Sequence, residues 1–238
     1  MKQFVHMTTR LGLRLFLIVT ILAGALAVSG AQTARAASIG CTASDLITAI
    51  DDANANPDTT TIDLAASCTY TLSDPIPDAD GYHGLEITTP VTINGNGANI
   101  TRDSSAPLFR ILLVTAGGSL TGNNLTVSNG NMNTVWPSQP KGGGILNFGA
   151  VTLNHSTVSG NSTGDGGGGI YNGGTLNVTG STVSSNTADN AGAGIMNYDS
   201  GIATVTVRIS RVAKSRVARI SCSVLSLPGA PSAGRAGA

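Results

Sequence analysis

The chain has 238 residues, 41% of them hydrophobic, only 4% aromatic and 11% charged, and its formal net charge is zero. Thirty-one glycines beside abundant Ser, Thr and Asn describe a turn-dense β protein and exclude a helical bundle. The zero charge averages unlike pieces: residues 38–200 hold thirteen acids against Arg102, Arg110 and Lys141, a balance of −10 that leaves no basic face for nucleic acid.

In chain order, residues 1–37 read as an export signal. Lys2, Arg10 and Arg14 precede an uncharged run over 15–28, and Ala34-Arg35-Ala36 offers a small-x-small cleavage pattern. An apolar run of about 14 residues is short for a bilayer span, so signal removal leaves no transmembrane segment and a secreted or cell-surface protein. An uncleaved anchor is the alternative.

Export makes disulfides available, and Cys41 with Cys68 is the pair expected to form one. No neighbouring His or second Cys pair gives zinc spacing. Between them Thr42 and Asp45 form a capping box, and Leu46, Ile47, Ile50 and Ala53 make an apolar stripe ending before Pro57. This predicts a short amphipathic helix within an N-terminal cap, residues 38–84, which also holds the first strands. A helix there would cover the open first coil of a solenoid.

Strands are predicted over 61–64, 69–72, 85–88, 91–93 and 109–114, with Asn94-Gly95-Asn96-Gly97 as a turn. From residue 142 the chain repeats itself. Gly143-Gly144-Ile145, Gly168-Gly169-Ile170 and Ala193-Gly194-Ile195 lie 25 residues apart, and Val151, Leu153 and Val158 return as Leu176, Val178 and Val183. A fixed period of this length means a solenoid, and apolar runs of alternating pattern that are too short for helices make it a β-solenoid.

The fold class expected over 85–206 is therefore an all-β, right-handed, single-stranded parallel β-helix with about 25 residues per coil. Ile145, Ile170 and Ile195 should stack inside. Asn147, Asn172 and Asn197, and Asn161 with Asn186, should form asparagine ladders. The glycine pairs are expected to supply positive φ. Residues 131–141 are an insertion at one corner, the place where a solenoid carries binding.

Residues 207–238 depart from the pattern, with Arg208, Arg211, Lys214, Arg216 and Arg219 but no glycine pair. A disordered basic tail that binds an acidic polymer, a degenerate capping coil and a shifted reading frame are the three readings. The third is preferred, because this segment would leave the last coil's edge unprotected.

Cys41-Thr42-Ala43-Ser44-Asp45-Leu46, with Ala49-Ile50 and Ala53-Asn54, resembles the start of CSLREA-type secreted β-helix proteins, without the Arg and Glu of that name. Val91-Thr92-Ile93-Asn94-Gly95-Asn96-Gly97 is similar to their first coil. The Gly-Gly-x-Ile and Val-x-x-Asn elements resemble the repeats of polymorphic outer-membrane proteins, with Val158 and Val183 where those favour Phe. The resemblance, over about 38–200, implies a pectate-lyase-like fold and a surface setting, and leaves activity open.

Candidate chemistry is sparse. Asp165 and Asp189 lie near equivalent corners, where stacking could hold a calcium ion or pair two carboxylates, against the plainer reading of solvated turn acids. Asp74, Asp78 and Asp80 with Gly81 form an acidic loop that lacks the later ligands of a calcium loop. His83 and His155 are read as surface residues. Trp136, on the insertion, is the candidate sugar contact.

Two function classes remain. The first is a non-catalytic scaffold or adhesin-like surface protein whose partners are polysaccharides or other surface components. The second is a polysaccharide lyase or glycoside hydrolase of the β-helix class. An ice-binding solenoid ranks third, since the sequence displays no Thr-x-Thr ladder recurring coil after coil.

Overall fold

The computed structural model describes residues 37–55, 60–79, 81–133, 140–198 and 201–206. Of the expected features, the signal up to residue 36, Trp136, Asp80 and the basic tail from 207 lie outside the described residues.

Short strands separated by Gly, Asn and Ser turns wind into about five turns of a parallel β-solenoid. One coil runs from a seven-stranded sheet to a five-stranded one, then through a short three-stranded sheet, present from Asn131–Met132 onward, to a six-stranded sheet. Among the described residues every pairing between coils is parallel, and the one antiparallel pairing is Ile76–Asp78 with Gly81–Ile87. That hairpin is what becomes of the acidic loop, with Asp78 opposite Gly81.

Inward side chains stack as the repeat requires. Ile145, Ile170 and Ile195 pair in consecutive strands, as do Val127, Val158 and Val183. Alternation buries Val91 and Ile93, Val151 and Leu153, and Leu176 and Val178 in one continuous core while their neighbours face water.

The period is the first correction. The step of 25 residues holds from Asn147 to Asn172 and from Asn172 to Asn197. Earlier steps are longer: 31 from Asp63 to Asn94, 29 from Asn94 to Asn123 and 31 from Asn123 to Asn154. The excess sits between paired strands: at the hairpin and between Ser128 and Ile145, where the coil turns into the six-stranded sheet, and in smaller amounts between Asp63 and Thr69, Asn94 and Asn99, and Val114 and Ser119. Corner length is free to vary because only the strands pair.

The glycine pairs need a different explanation from the one the sequence suggests. Left-handed φ falls on Gly142, Gly167 and Gly192, one residue before Gly143, Gly168 and Ala193. The pairs themselves permit close approach between coils. A Cβ on Gly144 would sit 2.6 Å from the Gly169 carbonyl oxygen, and one on Gly169 equally close to that of Gly194.

The helix spans Ala43–Ala55 and buries Leu46, Ile50 and Ala53 against the first coil. Thr42 Oγ1 accepts from the Asp45 amide and donates to the Asp45 carboxylate, which starts the helix. At the other end Asn54 serves the coil edge: its amide donates to the Glu86 carbonyl and accepts from the Thr88 N–H. The edge strand thus finds hydrogen bonds at positions where no strand among the described residues pairs with it. The Cys41–Cys68 disulfide ties helix to coil, with Cα atoms 5.6 Å apart and the two cysteines 27 positions apart in sequence. Cys68→Ser is expected to lower unfolding free energy by about 3–4 kcal/mol, measured by urea denaturation.

Side-chain ladders run between coils on two corners of the solenoid. Asn147 Nδ2 donates to Asn172 Oδ1 at 2.6 Å, and Asn172 to Asn197 at 2.7 Å. Asn161 donates to Asn186 at 3.0 Å. A further ladder that the sequence hides climbs the seven-stranded sheet: Asn154 donates to Asn123, Asn123 to Asn94, and Asn94 to Asp63.

Candidate functional site

The six-stranded sheet, whose entry takes the largest share of the extra residues, also carries the aromatic side chains. Before each later strand of the six-stranded sheet a glycine-rich stretch crosses the outside of that sheet. Gly142 lies against Leu146, Gly167 against Tyr171 and Gly192 against Met196. The positive φ of these glycines, between 59° and 71°, is what turns the chain back over the sheet. Leu113, Leu146, Tyr171 and Met196 are in register on the outward face, forming a small apolar cluster apart from the main core.

Lys141 closes this cluster. Its ammonium lies 5.3 Å from the centre of the Tyr171 ring and 5.6 Å from that of Tyr198, within reach of both π faces. The two rings stack with centroids 5.7 Å apart and planes inclined by 28°. Tyr171 is 1% exposed, whereas Tyr198 is 52% exposed and offers a ring to solvent.

Phe148, Gly173 and Tyr198 follow the paired residues Asn147, Asn172 and Asn197, so they occupy one column. Phe148, 37% exposed, leans over Gly173, where an added Cβ would lie 3.2 Å from its Cδ1. The corner therefore shows two exposed aromatic rings, a glycine between them and a lysine beside the upper one.

Arg102 and Arg110 are buried, which leaves Lys141 as the one cationic side chain at the surface among the described residues. Arg102 ties down the 103–107 turn by donating to the carbonyls of Asp103, Ala106 and Asn129, and burial pulls its pKa below the ordinary guanidinium value. Asp103 accepts from the backbone N–H and hydroxyl of Ser105, which hold its carboxyl below the usual range. Arg110 donates through Nε to the Lys141 carbonyl, so a buried residue positions the backbone of the half-buried lysine.

The candidate acids are one residue out of register. The Gly166–Ala191 bridge sets Asp165 opposite Asn190, whose side-chain amide donates to Asp165 Oδ1 at 3.0 Å. Asp189 instead donates its amide to the Thr163 carbonyl. Among the described residues no group of three His, Cys, Asp or Glu is placed to hold a metal ion.

His83 is corrected from surface to interior. It is 1% exposed because Gly81–Ile87 starts four residues earlier than predicted, and alternation puts His83 on the same face as Leu85 and Ile87. His155 is exposed, with φ 50° at a turn where neighbouring coils have Asn124 and Gly180 in the same conformation.

The sequence reading passed over Lys141, Phe148, Tyr171 and Tyr198 as site residues. The signal was present as aromatic residues at motif positions that vary: Leu146, Tyr171 and Met196 in one column, Phe148, Gly173 and Tyr198 in the next.

The geometry defines a parallel β-solenoid with an aromatic and lysine patch at one corner. Compared with known proteins, the chain matches no protein-family model, no curated protein and no solved structure. No helix among the described residues is long and apolar enough to cross a membrane.

Proposed function

We propose that this chain is a secreted or cell-surface β-helix protein, of the CSLREA-type and polymorphic-outer-membrane-repeat kind, which binds a glycan and does not cleave it. The observation that carries this reading is the open Tyr198 ring with the Lys141 ammonium beside it on an otherwise acidic body. A pyranose has an apolar face that stacks on such a ring, while its hydroxyl or carboxylate groups receive hydrogen bonds from the ammonium. Phe148 extends the apolar track along the same column. Expected partners are therefore polysaccharides of a cell or matrix surface, with the solenoid as the rigid support.

The test is retardation of the full chain in gels cast with acidic or neutral polysaccharides. Tyr198→Ala and Lys141→Gln are each expected to weaken binding by roughly tenfold, about 1.4 kcal/mol. Wild-type binding retained in both variants would remove the site. Bond cleavage that disappears in Asp165→Asn or Asp189→Asn would instead establish a lyase or hydrolase.

A further inference from the structure

The outward face of the seven-stranded sheet is a second, independent surface. On it Thr61, Thr92, Thr121, Thr152, Asn177 and Thr204 pair in succession, one per coil. Two positions along each strand run Asp63, Asn94, Asn123, Asn154 and Thr179. Their strand neighbours Val91, Ile93, Val151, Leu153, Leu176 and Val178 are buried, so these two columns point away from the core. Hydroxyls and amides thus repeat at about 4.8 Å between coils and about 6.7 Å along the strand.

Three properties separate this array from an ordinary polar surface. It is rigid: threonine is stiff at χ1, and the asparagines are fixed by bonds of 2.7 to 2.9 Å from Asn154 down to Asp63. Its strands are stacked in register and joined by a side-chain ladder, the arrangement that favours a flat sheet over a twisted one. It also carries a single charged residue, Asp63, at its first rung, so hardly any ion holds its own hydration shell against the array. The ladder missing from the sequence is present here as Thr-x-Asn, on steps of 29 and 31 residues that no fixed period reveals.

We propose that this face binds ice. Water oxygens on a prism face of hexagonal ice form a rectangular net of similar spacing, and a rigid net of hydroxyls and amides can enter it at many points together. Each contact is weak, but no side chain needs further ordering on adsorption.

The experiment measures thermal hysteresis and ice recrystallisation with the full chain. Wild-type protein is expected to open a gap between melting and freezing that widens with concentration, and to facet the crystal. Thr121→Lys, with a charged side chain in mid-array, is expected to abolish the gap while its circular dichroism and melting temperature stay those of wild type. Thr157→Lys, on the outward face of the five-stranded sheet, should leave the gap intact, and so should Tyr198→Ala, which separates this surface from the glycan site. Absence of a gap in wild type, a gap retained in Thr121→Lys, or adsorption to crystalline cellulose without hysteresis would each overturn the proposal.

Discussion

Gly168→Ala is expected to destabilise the solenoid by about 3 kcal/mol, a shift of roughly 6–12 °C in melting temperature. The added Cβ would press on the Thr187 carbonyl and lie 2.6 Å from that of Ala193. Both obstacles are backbone of the next coil, held by its pairing with the coil of Gly168, so neither can swing aside as a flexible side chain would. The chain contains its own control. Ala193 occupies the equivalent position in the following coil, is exposed and carries a Cβ without difficulty. Ala193→Gly should therefore change stability by only a few tenths of a kcal/mol, whereas the same pair of residue types at position 168 separates a folded coil from a strained one. Thermal melts of the two variants beside wild type give the comparison.

Asn172→Ala should cost about 3–4 kcal/mol, with the loss visible as a lower urea midpoint at unchanged slope. Asn172 is fully buried and bonds in both directions, accepting from Asn147 and donating to Asn197 and to the Gly174 and Ile202 carbonyls. Removing it takes away the acceptor of a buried Asn147 N–H and the donor to the half-buried Asn197 oxygen. Asn172→Asp tests the direction of the bonds. A carboxylate still accepts from Asn147 but cannot donate to Asn197, so this variant should be destabilised too, and more at neutral than at acid pH, where protonation restores a donor. A carboxylate variant as stable as wild type would mean that the ladder contributes no directed hydrogen bond.

The legibility of this molecule from its sequence depended on how evenly each feature was spaced. The Asn147, Asn172 and Asn197 ladder was readable because corner lengths are equal over those coils. The Asp63, Asn94, Asn123 and Asn154 ladder has the same physics but unequal corners, so its members align only once the strands are paired. The helix and the disulfide were legible for local reasons: a capping pair three residues apart, and two cysteines within one short segment. The glycine pairs announced a constraint and concealed its kind, since close approach and positive φ both select glycine and only the folded backbone tells them apart. The aromatic corner was least visible, because Tyr171 and Tyr198 sit at different motif positions and meet only by diagonal stacking across coils.

The equal step between Asn147, Asn172 and Asn197 means that residues 161–185 behave as a unit of length. A tandem copy of that segment would present Gly168, Gly169, Ile170 and Asn172 to partners of their own kind, above and below, and ask for no contact that is not already made. Each copy would raise the column by about 4.8 Å. Height and copy number are thus interchangeable in this solenoid, so gene duplication alone would lengthen it, with the helix over Ala43–Ala55 and its cystine left untouched.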